Sequence, residues 1–333
     1  MSDKILTISI AAYNMQDYLV DCINSLLNPD AINRLEIIIV DDGSKDGTAR
    51  IAQSYVAKYP NSVKLISKSN GGYGSTVNAS LAVAQGKFFK QLDGDDYLIT
   101  DSIPEYLQIL DSTDADVVYT VGEYRYEDKS PTGYYDCHLK PGDTVYAPHD
   151  VADQINLQLH CATFRTSMLR KANINLPEHC MYTDLPLSLL GFCNAQTVLS
   201  TPLHLYCSRI GRPGQTVSDD GYRKYIDDHI RVTELVAKIK LDDSRLSDLV
   251  DRTVSGMYEH SMQILLSMDN AEKTKKRISS LEKTLQEIRP KAFKTIKKWT
   301  LPWWMHITNS CGYGVLHVYK LLKLDLKRIL KRL

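Results

Sequence analysis

The sequence predicts an α/β fold: a mostly parallel sheet with flanking helices, followed by a C-terminal α-helical extension. Three observations predict it. Strand-like and helix-like patterns alternate over the first hundred residues. One strand-like run, Leu35 to Val40 (LEIIIV), is continuously apolar, as a parallel strand covered on both faces should be. From Tyr222 to Ile288 the pattern is nearly all helical, with no strand run.

Ile5 to Ile10 alternates and is β-branched, so it reads as the first strand. Asp17 to Leu27 sets Leu19, Cys22, Ile23, Leu26 and Leu27 at helical spacing. The apolar strand at Leu35 follows. Thr48 to Tyr59 reads as a helix closed by Pro60, and Val63 to Ile66 as a short strand. Thr76 to Ala84 is a helix stopped by Gly86, and Phe88 to Leu92 the next strand. Ser102 to Leu110 is a helix and Val117 to Val121 a strand. Glu123 to Asp150 is turn-rich and suggests hairpins. Helical patterning returns at Asp150 to Leu159 and Ser167 to Lys171. Asp248 to Met268 and Ala271 to Ile288 suggest an antiparallel helical pair.

The chain has 333 residues, 43% hydrophobic and 24% charged. That fits a soluble globular protein of about two domains and excludes a disordered or collagen-like chain. No apolar stretch reaches the roughly 18 to 20 residues that span a bilayer. Met-Ser-Asp-Lys leads straight into the first strand without a signal-peptide core, so a cytoplasmic protein is expected. Seven cysteines lack CxxC spacing. Reduced thiols that pack as small apolar residues are expected, with no structural zinc. The net charge of zero hides an asymmetry: from Arg289 to Leu333 there are eleven Lys/Arg against the single acid Asp325. Such a tail points to an anionic surface, membrane headgroups or nucleic acid.

In parallel α/β sheets ligands sit outside the carboxyl ends of the strands. Ala11-Ala12-Tyr13-Asn14, Asp41-Asp42-Gly43-Ser44 and Asp93-Gly94-Asp95-Asp96 follow three of the strands. Clustered carboxylates repel and raise one another's pKa. A divalent cation, or donors from a nucleoside, would relieve that cost, and oxygen ligands suit Mg²⁺ or Mn²⁺. Either acidic segment alone could be no more than a turn or a helix cap.

These segments together resemble family 2 glycosyltransferases. The resemblance rests on Tyr13-Asn14, VDDGSKDGT at Val40 to Thr48, NGGYGSTVN from Asn70 and LDGDD at Leu92 to Asp96. It continues through CATFRTSML at Cys161 to Leu169, NINLPEHCMYTD to Asp184, and LYCSRIGRPGQTVS at Leu205 to Ser218. It implies a GT-A (Rossmann-like) fold over residues 1–220, with a nucleotide-sugar-binding half at 1–100 and an acceptor-binding half at 101–220. Residues 221–333 form the helical extension. It further implies an inverting enzyme that takes sugar from a UDP-sugar and passes it to a glycan or lipid-linked acceptor, in polysaccharide biosynthesis. Nucleic acid is not an expected partner.

The resemblance also assigns roles. Ala11 would be among the nucleotide-sugar-binding residues, Tyr13 would stack on the nucleobase, usually uracil, and Asp42 would accept its N3–H. Asp93, Asp95 and Asp96 would meet the ribose and the diphosphate, with Asp95 and Asp96 holding Mn²⁺ or Mg²⁺. Asp184 would be the general base; the alternative is a cap for the helix at Leu185 to Leu190. Arg209, Arg212 and Gln215, with Ser218 beyond them, would close over the diphosphate. Where the family commonly has Ala-Arg-Asn, this chain has Thr76-Val77-Asn78. The missing arginine's role would pass to Lys68, Lys90 or a backbone amide.

Gly71-Gly72-Tyr73-Gly74 lacks the lysine-serine pair of a phosphate loop and reads as a mobile loop near the donor. His160, His179 and His204 are more readily core or surface residues than metal ligands. Tyr134, Tyr135 and Tyr182 could stack on sugars, with packing the simpler role. In the tail, Val318, Leu322, Leu326, Ile329 and Leu333 form an apolar stripe beside lysines. That helix would either lie on the inner face of the cell membrane, helped by Trp299, Trp303 and Trp304, or pack on its own domain. A catalytically idle nucleotide-binding or membrane-associated scaffold is the alternative to an enzyme.

Overall fold

The computed structural model describes residues 4–126, 131–211, 219–268 and 271–296. They fall in two compact units, Met1–Pro213 and Gly214–Leu333. Arg212, Gln215 and Ser218, the three tryptophans and the basic tail helix lie outside the described residues.

The first unit is built on a mixed sheet. Its strands are β1 (Leu6–Ala12), β2 (Leu35–Asp41), β3 (Val63–Ser67), β4 (Phe88–Asp93), β5 (Tyr97–Leu98), β6 (Val117–Arg125), β7 (Pro131–Tyr135), β8 (Val145–Tyr146), β9 (Ala162–Arg165) and β10 (Val198–Arg209). The order is β3-β2-β1-β4-β9-β6-β10-β5, with β7 on β6 and β8 on β10. The first four strands run parallel, as do β6 and β10. β9 runs antiparallel between β4 and β6. The helices are α1 (Leu19–Asn24), α2 (Thr48–Lys58), α3 (Tyr73–Val83), α4 (Ile103–Ser112), α5 (Pro148–Val151), α6 (Thr166–Lys171) and α7 (Asp184–Cys193).

All seven residues of β2 are buried, which explains its unbroken apolar run. Ile8, Ile10, Ile37 and Ile39 pack with Leu19 and Ile23 of α1 and with Tyr106 and Leu110 of α4. Each fully buried aliphatic side chain contributes about 1.5–3 kcal/mol. This core fixes the strands whose carboxyl ends carry the three motifs.

Two segments differ from the sequence expectation. The helix expected at Asp150 to Leu159 is only the four-residue α5. Beyond it the Asn156 amide donates to Cys137 O and its side chain to Asp136 O, both at 3.0 Å. Those bonds compete with helical pairing. No strand was expected at β10, whose register with β6 shifts between Ser200 and Tyr206, around Pro202.

The second unit contains α8 (Asp219–Lys224), α9 (Ile226–Ala237), α10 (Ser244–Leu266), α11 (Ala271–Ile288) and α12 (Pro290–Ile296). Asp243 caps α10 by accepting from the amides of Arg245 and Leu246. α10 and α11 run antiparallel: Tyr258 bonds Glu282, and Thr274 bonds the Leu265 carbonyl. No helix among the described residues is long and apolar enough to cross a membrane.

Arg289 ties this unit together. It is buried, pairs with Asp251 at 2.5 Å and donates to the Ala237, Ile239 and Ser247 carbonyls. The Ala237 carbonyl is one that α9 leaves open at its end, and Ile239 lies two residues beyond it. Arg289→Met leaves the buried Asp251 carboxylate with Lys291 Nζ, 4.0 Å away, in place of a direct ion pair, and is expected to cost about 3–5 kcal/mol in urea denaturation of the full chain. A loss below about 1 kcal/mol would mean that water reaches Asp251.

Candidate active site

The carboxyl ends of β1, β2 and β4 meet in one crevice. Register sets Ala11 beside both Val40 and Asp93. The Gly94 amide bonds Ala11 O at 3.0 Å, and the Asp42 amide bonds Ala12 O at 2.9 Å. Ala11, Asp42 and the Asp93 loop are therefore main-chain neighbours. After β1, Asn14 adopts a left-handed conformation (φ 54°). It bonds the amide of Lys45 through its side chain and Ser44 Oγ through its own amide. That exchange locks the two strand-end loops together and leaves Tyr13 46% exposed at the rim.

Asp42 is buried, and its carboxylate is heavily used. Oδ1 accepts from the Gly71 amide at 2.9 Å, from Lys68 Nζ at 2.9 Å and from Ser75 Oγ at 3.3 Å. Oδ2 accepts from the Gly72 amide at 2.8 Å. One acceptor position remains on Oδ2 for a ligand. Lys68 also reaches Ser69 O and Ser75 Oγ, so its three donors are filled. Gly43 (φ +77°) allows this: a Cβ there would lie 2.9 Å from Asn70 N.

The Gly71–Gly74 segment, which the sequence suggested as a mobile loop, runs into the start of α3 and is held from two sides. Asp42 holds it from one side. From the other, the His179 amide bonds Gly71 O at 2.5 Å, and a Cβ on Gly74 would come within 2.4 Å of Pro177 O. The segment joins the Asp42 side of the crevice to the stretch leading into α7.

The Asp93–Asp96 loop is clamped by the end of β10. Tyr206 OH donates to Asp96 Oδ2 and the Arg209 amide to Asp96 Oδ1, each at 2.7 Å. The Arg209 guanidinium differs from its expected role at the diphosphate. It is buried, donates to Asp95 O at 2.9 Å and to Asp21, and sits over the rings of Tyr18 and Tyr97. The reason is strand parity: Arg209 is three residues from Tyr206, so the two side chains leave opposite faces of the sheet.

His160 is the residue that sequence reasoning passed over. It lies in a short 3₁₀ turn, Leu159–Cys161, just before β9. Because β9 is antiparallel, the residue before it emerges where the parallel strands end. His160 stacks on Tyr206 with centroids 4.7 Å apart, and its Nε2 lies 3.5 Å from Asp93 Oδ2. Lys90 supports the turn from beneath: its buried Nζ bonds His160 O at 2.7 Å and Ala162 O at 3.3 Å. Lys90 therefore does not replace the missing arginine.

Asp93, Asp96 and His160 each place one ligand atom within 4.8 Å of the others. The sequence expectation paired Asp95 with Asp96; this cluster shares Asp96 with it. Burial, then Asp95 and Asp93, raise the Asp96 pKa. Burial opposes the charged imidazole, but Asp93, Asp96 and Asp184 outweigh it and raise the His160 pKa. The Asp96 shift reflects burial first and the clustered carboxylates second, and the His160 shift reflects the same carboxylates. Asp93 Oδ1 is also buried without a protein partner. Two carboxylates with one imidazole suit a divalent transition ion such as Mn²⁺ better than all-oxygen-loving Mg²⁺.

Asp184 is the first residue of α7, after Thr183 at the cap position, which makes no side-chain capping bond. The residue is exposed although protein crowds its carboxylate. Burial raises its pKa, with His160 pulling it down and Asp93 pushing it up. The buried Tyr73 hydroxyl is held to a high pKa by burial and by Asp93, with which its side chain interacts, and by Asp184. The structure thus gathers Ala11, Asp42, Asp93, Asp96, His160 and Asp184 around one crevice, with Tyr13 at its rim. It engages Arg209 elsewhere.

The family model described as Glycosyl transferase family 2 matches residues 7–174. Chondroitin synthase of Escherichia coli is 42% identical over 99 residues, which is 30% of this chain and only 14% of that protein. The uncharacterized glycosyltransferase EpsJ of Bacillus subtilis is 26% identical over 235 residues, 68% of this chain and 67% of its own. S. aureus TarS 1-349, solved in complex with UDP, superposes with a TM-score of 0.71 at 18% identity, over 96% of this chain and 92% of that one. That likeness establishes the GT-A type of fold.

Proposed function

The chain belongs to glycosyl transferase family 2, and on that premise we propose that it transfers a sugar from a UDP-sugar to a hydroxyl of a glycan or lipid-linked acceptor, with inversion and metal assistance. The observation that carries this reading is the meeting of Asp93, Asp96 and His160 with an accessible Asp184 in one crevice. The solved TarS complexes contain UDP and UDP-GlcNAc, which supports a uridine donor.

In this reading Tyr13 stacks on the base, and the open position on Asp42 Oδ2 accepts its N3–H. Asp93, Asp96 and His160 would hold the ion, which when bound neutralises charge on the departing diphosphate. Asp184 takes the proton of the acceptor hydroxyl as its oxygen attacks the anomeric carbon. The bond from that carbon to phosphate oxygen breaks, and UDP leaves with the electron pair. Arg209 and Tyr206 position the acidic loop, and Asp42, Lys68 and the Gly71–Gly72 amides position the base pocket. Polysaccharide assembly at the inner face of the cell membrane, reached through the basic tail, completes the proposal.

The test is UDP release from a panel of UDP-sugars with Mn²⁺ or Mg²⁺, in competition with UDP, CDP and GDP. UDP should compete better than CDP by about 1–3 kcal/mol, the cost of leaving the Asp42 acceptor unpaired. Equal competition by all three would overturn the base assignment. Donor binding without release from any sugar would favour the idle scaffold.

A further inference from the structure

A row of rings leads out of the crevice. Strand register puts Tyr135, Gly122 and Tyr206 side by side on β7, β6 and β10, with Gly133, Tyr124 and Ser208 in the next row of the same face. That face also carries the cluster, because Tyr206 bonds Asp96 and stacks on His160. Tyr135 lies flat across β6 because Gly122 has no side chain: a Cβ there would strike the ring at 2.3 Å. Its hydroxyl pairs with Ser208 Oγ at 2.7 Å. Outward, Tyr124 lies 4.6 Å from Tyr135 between ring centroids, and inward Tyr135 lies 6.5 Å from His160. Tyr124 is 39% exposed. Beside it Gly133 leaves the shelf open, since among the described residues a Cβ there would meet Tyr124 alone, at 3.9 Å.

Building on the transferase reading, we propose that the face of Tyr124 and Tyr135 is an acceptor subsite that carries an oligosaccharide of two or more sugars toward Asp184. An exposed ring at the end of a continuous row forgoes burial that packing alone would have secured. A pyranose fits what the row offers. Its C–H face suits the electron-rich face of an aromatic ring, and its hydroxyl rim suits the phenols. Among the described residues, Gly122, Tyr124, Gly133 and Tyr135 offer rings and bare backbone rather than an aliphatic surface for a lipid tail or a cation for a polyanion. It also ends at the carboxylates, where an acceptor hydroxyl must be delivered.

The full chain, with UDP and Mn²⁺, would be applied to an array of defined glycans as wild type, Tyr124→Ala and Tyr124→Phe, with UDP affinity measured in parallel. Wild type should retain glycans of two or more sugars. Tyr124→Ala should lose tenfold or more, Tyr124→Phe should keep most binding, and all three should bind UDP alike. Wild-type UDP binding with no glycan retained, or equal retention by Tyr124→Ala, would overturn the subsite and leave the donor reading intact. Tyr124-dependent capture by liposomes instead of glycans would overturn it too. Failure of wild type to bind UDP would sink the transferase reading and this inference with it.

Discussion

Asp184→Asn is expected to stop sugar transfer while leaving UDP affinity unchanged. The substitution keeps the size of the side chain and removes its ability to take a proton. A positioned general base contributes roughly 10²–10⁴-fold, so turnover should fall by that factor. The loss should appear in kcat, because the interaction is made only in the transition state. The pH profile supplies a second reading. Burial holds the Asp184 pKa above the ordinary carboxylate value, and only the ionised form can accept a proton. Wild-type turnover should therefore rise with pH through that raised pKa, and the residual activity of the variant should lose this limb. Near-wild-type transfer by Asp184→Asn would assign the base elsewhere and leave Asp184 as a first-turn acid favoured by the helix dipole.

Asp96→Asn should abolish the dependence of UDP affinity on Mn²⁺. Asparagine keeps an acceptor for Tyr206 or the Arg209 amide but removes the charge that balances a cation. Charge neutralisation by a bound ion supplies several kcal/mol to such a transfer, so turnover should fall about 10³-fold. Chelation of wild type should mimic the variant, and added Mn²⁺ should rescue wild type alone. His160→Ala and Asp95→Asn identify the remaining ligand. The gathered cluster predicts that His160→Ala weakens Mn²⁺-dependent UDP binding and Asp95→Asn does so less. The reverse order would restore the Asp95–Asp96 pair that the sequence motif suggested. Metal-independent UDP binding by wild type would remove the ion from the mechanism.

Much of the first unit was legible in the sequence because its signals are local. The apolar run at Leu35 and the alternation at Ile5 record burial of each strand on its own faces. The turn residues after β1, β2 and β4 had to lie at one end of a parallel sheet, so the segments Ala11–Asn14, Asp41–Ser44 and Asp93–Asp96 could be brought together from the strand pattern, while Tyr13 and Asp42 were singled out by the family resemblance. The sequence also carried the helical pattern of α10 and α11, whose apolar faces repeat at helical spacing.

What the tertiary structure decided depends on contacts between distant segments. No spacing rule shows that β9 is antiparallel, yet that direction delivers His160 to Asp93 and Asp96. Arg209 is a suitable phosphate ligand by chemistry, but its parity on β10 turns the guanidinium to the face of Tyr18 and Tyr97. Gly71 and Gly72 look free until the folded chain brings Asp42 and His179 against them. Residue type sets what chemistry a side chain can do. Strand direction and register, fixed by pairings across more than a hundred residues such as Asp96 with Tyr206, set which crevice it does it in.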